Sequence, residues 1–114
     1  MSRMINRAAV IVRPKKPFLD WAASTDEEAP EHVKDWKDHV SIYLVGEDPQ
    51  GRQETAPLKR YFQAIFEREL GGWYTDKRAW PKTRDLKTFR EWFDVVGESV
   101  IIDLEGGPLK TEEI

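Results

Sequence analysis

The sequence has no cysteine and only two histidines among its 114 residues. The absence of cysteine excludes disulfide bonds, thiolate metal sites and a cysteine nucleophile. The apolar runs are short as well: AAVIV at 8–12 and SVII at 99–102 fall far below the about 20 residues that a membrane helix needs. We therefore expect a chain that is stabilised by packing alone and that does not associate with a membrane.

A strong excess of one charge is also missing. The net charge is −3 and the pI is about 5.4, and net basic stretches (1–24 and 57–96) alternate with net acidic ones (25–56 and 97–114). A nucleic-acid-binding domain usually has one dominant basic face and a high pI. The charge balance argues against nucleic acid as the partner, although it leaves a local basic patch open.

The length and the hydrophobic fraction of 39% are enough for one core. We predict a single domain over residues 1–114, in which the polar residues 105–114 form a frayed tail. The first residues have neither the apolar length nor the small-residue cleavage pattern of a signal peptide, so we predict a cytoplasmic protein.

Apolar and β-branched runs predict three strands, at 7–13, 40–45 and 98–104. A short helix is predicted to start at Pro17, because proline suits the first turn of a helix. The acidic residues 25–39 indicate either a surface turn or a weak helix.

The strongest periodic signal covers residues 58–70, where apolar side chains recur at helical spacing. Thr55 is a possible N-cap of this helix. Gly71 and Gly72 are predicted to end it, because glycine adopts the left-handed conformation that closes a helix. A further helix is predicted after Asp85, which is placed to cap it, with its apolar side formed by Leu86, Phe89, Trp92 and Phe93.

The resulting order is β-α-β-α-α-β. We predict an α+β fold in which two main helices and one shorter helix cover a three-stranded sheet. Residues 14–39 are long enough for a crossover, which allows the first two strands to be parallel neighbours.

Two motifs in the sequence have a functional interpretation and a simpler one. Residues 46–53 have the glycine spacing of a phosphate-binding loop but lack its lysine and its serine or threonine, so a turn is the better interpretation. His32, Asp35 and His39 would share one helix face with Trp36 and could bind a divalent metal. Their spacing is not that of a known zinc motif, and the interpretation as solvated polar residues is favoured. We predict no metal site and no cofactor.

For catalysis, the most informative carboxylate is Asp103, which lies inside an apolar run. If Asp103 points inward, its pKa is raised, as at many catalytic sites. The alternative is that Asp103 lies on an open face or pairs with a base such as Arg13. No nucleophile, base and orienting group can be assembled from the sequence.

Residues 71–84 combine aromatic and basic side chains in one predicted loop. The rings can pack on the core and order the loop, or their exposed edges can bind a partner. A third possibility is stacking on single-stranded nucleic acid. The candidate contacts are Trp73, Tyr74, Lys77, Arg78 and Trp80.

Several short stretches of the sequence together resemble one family. They are PFLDW at 17–21, IYLV at 42–45, FERELGGWYTD at 66–76, WP at 80–81, FREWFD at 89–94 and IIDL at 101–104. In this order they resemble a group of small bacterial proteins to which no activity is assigned, over residues 7–104. The resemblance implies a bacterial, cytoplasmic protein, and it brings no catalytic or ligand residues with it.

Our leading hypothesis for function is a non-enzymatic module that binds another protein through the aromatic-basic loop. The alternative is a small enzyme or small-ligand binder with a cleft between sheet and helices, using Asp103, Asp20 or Glu69 beside a basic residue.

Overall fold

A computed structural model of the chain describes residues 2–50 and 56–114, without the side chain of residue 56. The predicted Thr55 cap and the end of the 46–53 motif lie outside these residues. The described part is an α+β fold with a three-stranded sheet, as predicted. Its elements, in chain order, are β1 (Arg3–Met4), β2 (Ala8–Pro14), α1 (Lys16–Ala23), α2 (Ala29–Trp36), β3 (Ser41–Val45), α3 (Ala56–Trp73), a 3-10 turn (Lys77–Ala79), α4 (Leu86–Trp92), β4 (Phe93–Glu98) and β5 (Ile102–Asp103).

The main sheet has the strand order β3-β2-β4, and both pairings are antiparallel. Ile11 at the centre of β2 pairs with Ile42 on one side and with Val96 on the other. The parallel arrangement that we considered for β2 and β3 is wrong, because α1 and α2 form a helical pair that reverses the chain instead of a single crossover helix.

Helices cover one face of this sheet. The side chains of Ala8, Val10 and Val12 on that face are fully buried, as are Phe18 from α1, Phe66 from α3 and Phe89 from α4. The Phe66 ring contacts Phe93 edge-on, with 5.6 Å between the ring centroids. The predicted aromatic side of the 58–70 helix therefore forms the core.

The opposite face of the sheet has no helix over it in the described part of the chain. Its exposed apolar side chains are Ile42 and Leu44 from β3, which are 65% and 54% exposed, and Val96 from β4, which is 43% exposed. This face stays in water in the single chain.

The short helices begin as the sequence predicts. Pro17 lies in the first turn of α1. The Asp85 side chain accepts a hydrogen bond from the Thr88 N–H and so caps α4. Within residues 25–39, the helix interpretation is confirmed over α2, where Pro30 lies in the first turn.

Helix α3 does not end at the glycines. It continues through Gly71 and Gly72 to Trp73, and neither glycine has a positive φ. Trp73 is anchored there because its Nε1 donates to the Ala22 carbonyl at 3.0 Å and to Thr25 Oγ1 at 3.1 Å. These contacts hold the last turn helical where glycine alone predicts a stop.

The prediction of one strand at 98–104 is also wrong. Strand β4 begins at Phe93, directly after the last residue of α4, where the backbone becomes extended with φ −137° and ψ 140°. The later residues form β5, which pairs with β1 in a separate two-stranded sheet. The position of Phe93 fits the apolar side of the predicted helix and also the alternating pattern of a strand. In the structure, Phe93 is the first residue of the strand. Residues 104–114 form no helix or strand and are exposed.

The course of α3 gives a first prediction. Gly72→Ala adds a methyl group that meets no atom within 4 Å, and alanine favours a helix over glycine by up to about 1 kcal/mol. We expect a gain of several tenths of a kcal/mol in the free energy of unfolding in urea. Gly71→Ala is the comparison, and it should gain a similar amount, because its methyl would lie in ordinary van der Waals contact with the Trp80 ring, 3.4 Å from Cζ2. A loss of stability in Gly72→Ala would show that the helix ends in a left-handed glycine.

Candidate binding groove at strand β3

Strand β3 is an edge strand with an unusually unprotected sequence. It reads SIYLV, with neither a charge nor a proline, and it pairs only with β2. Among residues 2–50 and 56–114, no hydrogen bond reaches the outer side of this strand. Natural sheets usually protect an edge with charged residues, proline or a covering segment. The other edge strand, β4, carries Asp94 and Glu98.

A groove runs beside β3, between this strand and α3. It consists of two adjoining cavities, of about 820 Å³ and about 240 Å³, and Tyr43 and Arg68 line both of them. The larger cavity is the polar end and contains Glu69. The smaller cavity is apolar and is lined by Leu44, Val45, Tyr61, Ala64 and Ile65.

Glu69 is the chemically distinctive residue of the polar end. It is only 8% exposed, although it is a carboxylate. Ser41 Oγ donates to Glu69 Oε2 at 2.9 Å, and the Tyr43 hydroxyl donates to the same oxygen. Within the described ranges, no Lys, Arg or His nitrogen lies within 4.0 Å of this carboxylate. Glu69 is therefore a buried acceptor held by two neutral hydroxyl groups.

The hydrogen bonds continue from Ser41 to the surface. His39 Nε2 lies 3.0 Å from Ser41 Oγ. Because the Ser41 hydroxyl donates its one hydrogen bond to Glu69, the Ser41 oxygen accepts a hydrogen bond from the His39 Nε2–H. The hydrogen bonds thus run from His39 as donor to Ser41, and from Ser41 as donor to Glu69.

Tyr43 is affected most strongly by this arrangement. Burial raises the pKa of its phenol well above the ordinary value, and the hydrogen bond to Glu69 raises this pKa further. The phenol therefore stays protonated and remains a donor to Glu69 through the neutral pH range.

Aromatic rings form the wall of the polar end. The His39 ring stacks on Trp36 with 4.2 Å between centroids, and Trp36 meets Trp73 edge-on at 5.4 Å. Trp73 is fixed to α1 through the bonds of its indole N–H. The wall is consequently held by α1, α2 and α3 together.

The proposed metal ligands do not assemble. His39 lies beyond the end of α2 and contacts Trp36 and Ser41 instead of His32 and Asp35. In the part of the chain that the structure describes, no group of three or more His, Cys, Asp or Glu side chains could hold a metal ion.

The aromatic-basic loop is ordered by its own tryptophans. Trp80 is 8% exposed, and its Nε1 donates to the Tyr74 carbonyl at 2.7 Å. Lys77 lies over the Trp80 ring at 5.8 Å, and Arg78 pairs with Asp76 at 3.0 Å. Trp73 and Tyr74 are half-buried, whereas Lys77 and Arg78 are exposed. Binding of a partner by these side chains stays a prediction.

The three carboxylates of the alternative hypothesis do not share a cleft. Glu69 lines the β3 groove, whereas Asp103 lines a depression beside β1 and β5, where Arg3 lies 3.8 Å away. Asp20 is exposed and pairs with Lys16 at 2.7 Å. Asp103 is thus paired with a base, as the second interpretation held, but the base is Arg3 and not Arg13.

The sequence did not indicate Ser41, Tyr43 and His39 as partners of Glu69. One signal was present: Glu69 stands four residues after Ile65 and three after Phe66, on the apolar side of the helix. A carboxylate on a core face needs polar partners. The partners themselves could not be found, because they depend on how β3 is placed against α3.

Comparisons with family models, with curated proteins and with solved structures found no match to this chain. The resemblance to a group of small bacterial proteins therefore stays a prediction. None of the helices in residues 2–50 and 56–114 has the length and apolar character needed to cross a bilayer.

Tyr43→Phe tests the polar cluster. We expect the free energy of unfolding at pH 7 to fall by about 1 kcal/mol or more, because a buried carboxylate loses a donor. In the wild type, the protonated Tyr43 phenol stabilises the folded chain fully below pH about 10. This stabilisation is lost as the pH rises further, because the phenol ionises there in the unfolded chain while it stays protonated in the folded chain. The variant lacks this additional alkaline loss.

Urea unfolding between pH 7 and pH 11 measures both effects. Tyr74→Phe is the matched control, because the Tyr74 hydroxyl makes no hydrogen bond among the described residues. Equal behaviour of the two variants would contradict the role given to Tyr43.

Proposed function

We propose that the protein is a non-enzymatic protein-binding module that takes an extended segment of a partner along the outer edge of β3. The observation that supports this proposal is an uncharged strand whose outer edge has no partner among the described residues, together with a groove beside it. In strand addition, main-chain hydrogen bonds to an edge provide affinity, and pockets for alternate side chains provide specificity.

Both faces of β3 offer contacts to an added strand. Side chains alternate between the two faces of a strand, so every second residue of the partner would point toward the groove and the others toward the open face. On the open face, the neighbours are Ile42 and Leu44, which are largely exposed in the single chain and also border the two cavities of the groove. Apolar partner residues at these positions would remove both side chains from water.

The hydrogen-bond order at Glu69 favours binding over hydrolysis. In a hydrolytic triad, the histidine takes the serine proton and the carboxylate orients the histidine. Here the Ser41 hydroxyl donates a hydrogen bond to Glu69 directly, and His39 donates to the serine oxygen from the other side. The Ser41 oxygen is thus held as a structural donor.

The aromatic-basic loop remains a second candidate surface of the same module. Among the five candidate contacts of this loop, Lys77 and Arg78 are the exposed ones. A Lys77→Ala, Arg78→Ala double variant separates the two surfaces, because it leaves β3 unchanged.

The proposal is tested by selecting random dodecapeptides, displayed on phage, against the immobilised wild-type protein. Ile42→Lys places a charge on the β3 edge, and Val96→Lys is the matched control on β4, in the same cross-strand row. We expect selected peptides to bind Ile42→Lys about ten-fold more weakly or worse, since covering an isoleucine is worth about 1.5 kcal/mol or more. Binding to Val96→Lys should be nearly unchanged.

A scan of N-methylated peptides checks the main-chain bonding. Methylation of one amide at a time should abolish binding at alternate positions only, because hydrogen bonds to an antiparallel neighbour involve every second residue. Binding without this alternation, or selection of no peptide at all, would refute strand addition.

Light scattering on the purified protein tests whether a second copy of this chain occupies the β3 edge. A dimer that Ile42→Lys converts to a monomer would identify a second copy of this chain at the edge, and would overturn the proposal of a separate partner.

A further inference from the structure

We infer that the polar end of the β3 groove is a site for a cationic side chain, lysine or arginine, carried by the segment that adds to β3. This inference rests on the proposed function and adds to it the chemistry that the groove selects. Four features of the described residues lead to it: the burial of Glu69, its free acceptor positions, the register that strand addition imposes, and the aromatic wall.

Glu69 is a buried carboxylate with no cationic nitrogen within 4.0 Å among the described residues. Buried carboxylates in proteins are normally paired with a cation, because burying an uncompensated charge is costly. In the described ranges, Glu69 has only the hydroxyl groups of Ser41 and Tyr43 as partners. Two neutral donors offset part of the lost hydration and none of the charge.

The carboxylate also has positions left to accept hydrogen bonds. An ionised carboxylate offers about four lone-pair positions, and the two hydroxyl protons occupy about half of them. An ammonium group with three donors, or a guanidinium with a planar pair of donors, fills the remaining positions. Neutral hydroxyl or amide groups would leave the charge uncompensated.

Strand addition brings a side chain to this place. Ser41 and Tyr43 point toward the helical side of β3, where both contact Glu69 on α3. A groove-facing residue of a strand paired with β3 lies within about 4.5–5.5 Å of its cross-strand neighbour, measured between Cβ atoms. A long side chain at that position reaches past the edge toward Glu69.

The surroundings of the polar end fit such a side chain. Trp36 and His39, stacked on each other, line the cavity. Aromatic faces attract cations and also cover the aliphatic stem of lysine or arginine.

No described cation near the groove forms an ion pair with Glu69. Arg68 lines the groove, but adjacent residues on a helix do not face each other, and no ion pair joins Arg68 to Glu69 among the described residues. The neighbouring Glu67 lies 4.0 Å from Arg84. A metal ion is disfavoured as well, because the described part of the chain has no group of three or more metal-ligating side chains.

Alternation sets the sequence pattern of the partner. The basic residue should stand between two apolar residues, which would cover Ile42 and Leu44 on the open face. The expected signature is apolar, basic, apolar at consecutive positions.

The test uses the peptides selected on the wild-type protein. We expect the signature with lysine or arginine to be enriched, and a synthetic peptide in which this residue is replaced by norleucine to bind the wild type about ten-fold more weakly or worse, because a charged hydrogen-bonded contact is lost. In Glu69→Gln, the two peptides should bind alike. Asp94→Asn on the opposite edge strand removes the same charge away from the groove, and as the matched control it should retain the difference between the peptides.

The peptide substitution keeps the test valid even if Glu69→Gln folds poorly, since it is measured on the unchanged protein. Peptides that pair with β3, as the N-methyl scan shows, but contain no basic residue would overturn the cation site and leave strand addition intact. Equal binding of the basic and norleucine peptides to the wild type would overturn it too. If no peptide is selected, both proposals fail.

Discussion

The packing of one helix on one face of a small sheet determines most of this structure. Phe66 of α3 meets the rings of Phe89, Trp92 and Phe93, and with Leu58, Ile65 and Leu70 it covers the strand β2. The main sheet has two faces and two edges, and the helices of the described residues all pack on one face, so they leave the other face and the outer edge of β3 uncovered. The open face and the bare β3 edge are therefore consequences of how the core is built.

The same packing explains why a carboxylate lies inside the molecule. Glu69 is on the core side of α3 between Ile65 and Leu70, so the helix cannot bury its aromatic side chains without burying Glu69 as well. Ser41 and Tyr43 meet it because their strand lies at the edge nearest to this part of α3. The polar end of the groove and the hydrophobic core thus share one helix, and neither can be moved without the other.

The start of a helix could be predicted from the sequence wherever the chemistry of a single residue determines it. Asp85 caps a helix because its side chain bonds to the next turn, and Pro17 starts one because its fixed φ suits the first turn. The prediction from sequence was wrong or incomplete where contacts between distant residues determine the structure. Gly71 and Gly72 were predicted to stop α3, but Trp73, bonded to α1, keeps the helix going. Likewise, the groove depends on the position of β3 beside α3, which no local pattern encodes.

The junction between α4 and β4 has a fixed length. Trp92 ends the helix and Phe93 begins the strand, with no connecting residue between them. Inserting a single amino acid there would turn every side chain of β4 to the opposite face, because neighbouring positions of a strand point to opposite sides. Phe89 before the junction and Phe93 after it are both buried in the core, so packing on both sides fixes the number of residues between them. An insertion or a deletion at this point would therefore disrupt the core on both sides of the junction.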